Sequence, residues 1–354
     1  MNEGMKAVWS SLQEVPQQRL DDLFAADPQR LERLCAALEL PGGPILFDWS
    51  KTHLDARTLS LFEELAQAAD FAGARMALAA GEVVNITEHR AAEHMAMRGL
   101  GDAASVDRAG EYHGRMAALV EAIHGGALGE VRHLIHIGIG GSALGPALAI
   151  DALARDGAMA DVHVVSNIDG LALEAAFAAC DPASTLIAVA SKTFTTIETM
   201  TNAHSALNWL RENGVADPYG RIVALTAFPE KAITWGVDET RVLPFMETVG
   251  GRYSLWSSIG FPVALALGWE EFGQMLEGAA AMDQHFLETE GAANLPLRAA
   301  FADRFYARLR GCQSRACFAY DERLRMLPSY LQQLEMESHG KGVPASGEPV
   351  DGPT

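Results

Sequence analysis

Five short β-rich runs alternate with helical segments through the middle of the chain, and this alternation constrains the fold more than any other feature. The runs are His133–Ile139, Asp161–Val165, Thr185–Ala190, Arg221–Thr226 and Thr240–Phe245. Between them lie helical patterns at Ala143–Arg155, Leu171–Cys180 and Glu198–Asn213, and a short one near Pro229–Trp235. Most of the runs are apolar almost throughout, the signature of strands buried on both faces, and strand–helix alternation predicts a parallel sheet covered on both sides. Apolar helices are expected to follow over Leu255–Leu267, from Trp269 to Leu287, and from Pro296, which suits a first helical position, to Leu309.

The flanks read differently. Residues 1 to about 105 show aliphatic residues at helical spacing and no clear strand, with Phe47–Lys51 as an extended segment or loop. Asn85 followed by Glu88 fits a capping box opening a helix through Arg98. Near the other end, Cys317–Tyr320 reads as the first strand of a second α/β unit, followed by a helix carrying Glu337. One strand and one helix cannot bury their apolar faces or pair their edges, so that second unit is expected to be incomplete. The expected divisions are a helical region over 1–105, an α/β domain over 106–285, and the beginning of a second over 286–354.

The 354 residues carry a formal net charge of −19, which disfavours nucleic acid or an anionic membrane as the main partner. A small anionic ligand remains compatible, because a phosphate is held by local amides and one or two cations. Cys35, Cys180, Cys312 and Cys317 show no metal-ligand spacing with histidines and read as reduced thiols. The first fifteen residues lack the apolar core of a signal peptide, and no apolar run approaches a membrane span, so the expectation is a soluble, cytoplasmic chain.

Three segments carry chemistry. Gly138-Ile139-Gly140-Gly141-Ser142 lies where the first run meets its helix; its glycines permit close backbone approach, and exposed amides at a helix start attract an anion. The run also satisfies a dinucleotide fingerprint through Gly138, Gly140 and Ala143, but the ribose-binding acid expected about twenty residues on is missing. A nucleotide-dependent oxidoreductase is therefore the weaker reading. Ser191-Lys192-Thr193-Phe194-Thr195-Thr196 gathers hydroxyls and an ammonium at the start of a helix, which suits a terminal phosphate. Thr195 with Glu198 is itself a capping box, which explains Thr195 but not Ser191, Lys192 and Thr193. Gly250-Gly251-Arg252 sets an arginine on a flexible turn, for an oxyanion, a phosphate or a structural interface.

Glu337 completes the set. Leu327, Tyr330, Leu331 and Leu334 form one apolar stripe; Gln333 and Glu337, four apart, stack at its edge, while Glu335 is expected to point to solvent. A carboxylate half-buried against apolar neighbours is suited to act as a general base near neutral pH. The alternative is a helix-end glutamate that reaches for water.

Gly138–Ser142, Ser191–Thr196, Val249–Trp256 and Gln332–Lys341 stand in the order and approximate spacing of the glucose-6-phosphate isomerase family, and Phe47–Lys51 and Gly81–Arg98 resemble its N-terminal region. The resemblance implies a sugar-isomerase (SIS-type) three-layer αβα domain, a helical N-terminal region and the start of a second αβα domain. It implies that Ser191, Lys192, Thr193 and Thr196, with Ser142, hold a substrate phosphate, and that Gly141, Thr199 and Gln333 contact the sugar. Glu337 would move a proton between C1 and C2, and Arg252 would stabilise a cis-enediolate, without metal, nucleotide or other cofactor. A homodimer is also implied. The family's ring-opening histidine loop and its C-terminal lysine segment have no counterpart here, and His339 stands where the family commonly shows asparagine. Asp351-Gly352-Pro353-Thr354 resembles the family sequence just ahead of that loop, so the chain matches the N-terminal two-thirds of such an isomerase, with impaired ring opening expected. A sugar-phosphate-binding module without catalysis is the alternative.

Overall fold

The computed structural model describes residues 2–340 and 342–343. Expectations that fall on Lys341 and on 344–354 lie outside the described residues. The described residues form two compact units: one of residues 2–91, 277–316 and 343, the other of 92–276, 317–340 and 342.

The first unit is mainly helical. Its core joins Leu12, Leu54 and Phe62 to Leu297, Phe301 and Phe305, with Phe62 stacked on Phe301 at 5.2 Å. Arg30 is buried, and its guanidinium donates to the carbonyls of Ser50 (2.8 Å), Thr52 (2.5 Å) and Leu54 (2.9 Å), which satisfies the charge by backbone dipoles. The expectation of no strand here is wrong. Strands β1 (Cys35–Leu38) and β2 (Ile45–Asp48) form an antiparallel hairpin that pairs Ala36 with Phe47. Cys-Ala-Ala-Leu has helix-friendly composition, but the Pro-Gly-Gly turn, with Gly43 at φ +113°, folds an extended partner back onto it.

The helix expected from Asn85 to Arg98 does not form as such. Asn85 Oδ1 accepts from the Glu88 amide at 3.2 Å, so the cap geometry exists. It closes a turn instead, because Asn85 and Arg90 exchange backbone hydrogen bonds and His89 sits at φ +51°. Only His94–Arg98 winds into a 3₁₀ helix.

The second unit is built on a five-stranded parallel sheet in the order β4-β3-β5-β6-β7, where β3 is His133–Gly138, β4 Asp161–Val165, β5 Thr185–Ala190, β6 Ile222–Thr226 and β7 Val242–Pro244. Alternate residues serve alternate faces. Leu134, Leu186, Val223 and Leu225 pack with Met116 and Val120 of helix Ala103–His124 and with Phe261. Ile135, Ile137, Ile187 and Val189 pack with Leu173, Leu207 and Leu210 of helices Gly170–Ala179 and Ile197–Glu212. The parallel, doubly covered sheet and the strand positions agree with the sequence reading. Among the described residues, no helix is long and apolar enough to cross a membrane.

Two further expectations need correction. The span read as one helix from Leu255 begins with 3₁₀ turns, Gly251–Trp256 and Ser258–Gly260, before helix Phe261–Leu267. The Ser257 hydroxyl donates to the Ser254 carbonyl at 2.6 Å and that of Ser258 to the Pro244 carbonyl at 2.6 Å, so side chains compete with helical bonding. Cys317–Tyr320 is not a strand: it pairs with no described segment, and Phe318 and Tyr320 are exposed.

Candidate active site

The chain runs from β3 outward to β4 and then returns to the far side of β3 with β5. The sheet therefore has its switch point between β3 and β5, where Gly138 pairs with Ala190 at the carboxyl ends. Loops diverging at such a point leave a crevice, the usual ligand position in open α/β sheets. Both chemistry-bearing loops begin there.

The first loop turns at Gly140, at φ +57° and ψ −120°, ahead of helix Gly141–Leu153, which has no side-chain cap. Glycine is required at two positions for reasons of contact. A Cβ on Gly140 would stand 2.8 Å from Nε2 of Gln333, and one on Gly141 would stand 2.2 Å from the carbonyl carbon of Gly251 and 2.5 Å from the Arg252 nitrogen. The glycine loop, the arginine turn and the helix Leu327–His339 thus converge. Buried His136 pins this loop from below: its Nε2 lies 2.6 Å from the Ser142 carbonyl, to which it donates. Burial holds the His136 pKa down to about 4, the carbonyl bond opposing.

The second loop, Ser191–Thr196, is anchored by Phe194, which is buried at φ +52° and packs edge-on against Trp235. With the phenyl ring inside, Thr193 and Thr195 lie exposed on either side. Ser191 and Thr196 hydroxyls stand 3.0 Å apart, and those of Thr193 and Thr195 2.8 Å apart. Thr196, not Thr195, is the N-cap residue, and no side-chain cap bond forms, which overturns the capping box. Lys192 Nζ donates to the carbonyls of Glu247 (2.5 Å) and Val249 (3.1 Å), tying this loop to the segment leading into the arginine turn. Lys231, which sequence reasoning missed, donates to the Thr193 carbonyl at 3.0 Å. Thr199 lies one turn into the helix, closed off from solvent, its hydroxyl without a hydrogen-bond partner.

Arg252 and Glu337 meet directly. The arginine side chain is 12% exposed and the glutamate 49%. Arg252 Nη1 donates to Glu337 Oε1 at 3.2 Å, and Gln333 Nε2 to Oε2 at 3.2 Å. The carboxylate is therefore flanked by polar groups, not by the apolar neighbours expected from the helical stripe. Glu335, expected in solvent, is partly buried.

Residues that the sequence did not flag hold the arginine. Ser338 Oγ donates to the Leu334 carbonyl (2.5 Å) and accepts from Arg252 Nε (2.8 Å), with the Tyr253 hydroxyl 2.9 Å away. The guanidinium also lies 4.8 Å over the Tyr253 ring, whose other neighbour is His94, stacked at 4.7 Å. Burial, then the charges of Arg98 and Arg252, push the His94 pKa down to about 4, so this ring is neutral at pH 7.

Comparison with known proteins shows the family. Residues 48–354 match the family model described as phosphoglucose isomerase. The chain belongs to this family. A glucose-6-phosphate isomerase of Erythrobacter litoralis (strain HTCC2594) is 67% identical, the match covering all of this chain and 70% of that protein. One from Novosphingobium aromaticivorans is 68% identical over 98% of this chain and 68% of its own length. Among solved structures, a glucose-6-phosphate isomerase from Chlamydia trachomatis superposes with a TM-score of 0.87 at 25% identity, covering 98% of this chain and 68% of that one. Membership in the phosphoglucose isomerase family supports an aldose–ketose isomerase function, and the five-stranded sheet is the fold expected of it.

Proposed function

We propose that the chain interconverts glucose 6-phosphate and fructose 6-phosphate through a cis-enediolate. The observation that carries this reading is the Arg252–Glu337 pair at 3.2 Å, on a turn pressed against the glycine loop at the sheet's switch point. Ser191, Lys192, Thr193 and Thr196, with Ser142, hold the phosphate. Gly141 and Gln333 face the sugar; Thr199, expected to join them, is buried and is left out of that set.

On the open-chain aldose, the Glu337 carboxylate takes the C2 proton, and the electron pair left on carbon moves toward the C1 oxygen. Negative charge then grows on the enediolate oxygens, where the Arg252 guanidinium stabilises it. Return of the proton to C1, with a proton shift between the two oxygens, yields the ketose. No external oxidant or reductant is needed. The arginine is pre-positioned by Ser338 and Tyr253.

A second reading, a sugar-phosphate-binding module without turnover, draws on the same ion pair, since each candidate group is already satisfied by the other. Titration of 6-phosphogluconate, an open-chain analogue, alongside turnover of fructose 6-phosphate separates the two. Binding with turnover that falls about 10²–10³-fold in Arg252→Ala supports the isomerase. Binding with no turnover supports the module.

A further inference from the structure

A second chemical cluster lies at the opposite end of the sheet. β3 starts at His133 and reaches the candidate active site only at Gly138, about 16 Å away at the usual strand rise. In the parallel register His133 pairs with Asp161, and Ile135 with His163. Paired and alternate residues share a face, so His133, Asp161 and His163 all project toward helix Gly170–Ala179. Cys180 is the C-cap of that helix and lies on the same face, packed with Ile135 and Leu173. Sequence spacing shows no metal pattern because the groups come from two strands and a helix end; the sheet register assembles them.

One ligand atom from each of His133, His163 and Cys180 lies within 4.8 Å of the others. His133 Nδ1 is buried without a hydrogen-bond partner. The Asp161 carboxylate stands 3.8 Å from that nitrogen, too far for a hydrogen bond, and its side chain is 75% exposed and so able to turn. Two imidazoles, a thiol and a carboxylate make a nitrogen–sulfur–oxygen donor set, and an adjacent carboxylate favours a cation. Tetrahedral zinc with bonds of about 2.0–2.3 Å puts its ligand atoms roughly 3.3–3.8 Å apart. Closing from the observed spread is a contraction of about 1 Å, within reach of small side-chain rotations.

We propose that His133, His163 and Cys180, with Asp161 as the fourth ligand, form a zinc-binding site at the amino-terminal edge of the sheet, separate from the sugar-phosphate site. Zinc there would join β3, β4 and the end of helix Gly170–Ala179, so its role is structural.

The test is titration of the full chain, reduced and freed of metal with EDTA, first with cobalt(II) as a spectroscopic stand-in and then with zinc against a chromophoric chelator. The expected result is one equivalent bound, with a thiolate-to-cobalt charge-transfer band that disappears in Cys180→Ser and persists in Cys312→Ser and Cys317→Ser. His163→Gln should weaken zinc by more than the roughly 10–100-fold that outer-shell changes cost, and Asp161→Asn by less than His163→Gln. Should Cys180→Ser misfold, His163→Gln and Asp161→Asn, judged folded by circular dichroism, decide the matter. Absence of a stoichiometric site, or binding unchanged in His163→Gln, overturns the proposal.

Discussion

Gly141→Ala tests whether the glycine loop sets the position of Arg252. The added Cβ would stand 2.2 Å from both the carbon and the oxygen of the Gly251 carbonyl and 2.5 Å from the Arg252 nitrogen. These are backbone atoms, so no side chain can rotate away. To restore ordinary contact the turn must retreat by about 1.2–1.8 Å. Misplacement on that scale costs on the order of 10²-fold in rate, equivalent to about 2.7 kcal/mol of barrier. The loss should fall on kcat for fructose 6-phosphate, while 6-phosphogluconate, whose phosphate we propose is held by the Ser191–Thr196 loop, should bind within a few-fold of wild type. Gly114→Ala is the control: it lies in helix Ala103–His124, a Cβ there meets nothing within 4 Å, and it should leave kcat unchanged while adding about 0.5–1 kcal/mol of stability. Full activity in a folded Gly141→Ala protein would refute the idea that this contact positions the arginine.

Other consequences are open to simpler assays. Ser338→Ala removes the acceptor for Arg252 Nε, so kcat should fall about tenfold, with KM nearly unchanged and no loss of helix by circular dichroism; an unchanged kcat would deny Ser338 a positioning role. Lys192→Ala should weaken 6-phosphogluconate by about 10–100-fold in calorimetry, as expected for a lost charge-assisted bond. His94 and His136 are held neutral, each with a folded pKa near 4 against about 6.5 when unfolded. Because the unfolded state binds the extra protons, their contribution is fully present above about pH 6.5 and is lost as pH falls toward 4, by up to about 3 kcal/mol each. Urea titrations between pH 7 and pH 4.5 should show this decline; a flat profile would contradict the buried, neutral assignment.

The sheet was legible because β3, β5 and β6 are buried on both faces, and such strands are written as apolar runs whatever surrounds them. The glycine loop, the hydroxyl cluster, Arg252 and Glu337 were legible because each carries unusual chemistry at a strand or helix end. What escaped was set by partners distant in sequence. Cys35–Leu38 became a strand only because Ile45–Asp48 folds back on it. His94, Tyr253 and Ser338 are ordinary residues singly, and gain meaning from a stack and two hydrogen bonds across some 240 residues of chain. The Glu337 environment was misjudged for the same reason: the helical stripe was visible, but the arginine facing the carboxylate comes from another segment. His133, His163 and Cys180 meet only through strand register.

The central claim of the proposed function is that Glu337 carries the proton between C1 and C2. Its most direct test is exchange of the C2 hydrogen of glucose 6-phosphate with solvent deuterium, followed by NMR for the wild-type chain and for Glu337→Gln. Exchange that falls by about 10²–10⁴-fold in the variant, with 6-phosphogluconate still bound, is the predicted result. Exchange that continues at the wild-type rate in Glu337→Gln would contradict it.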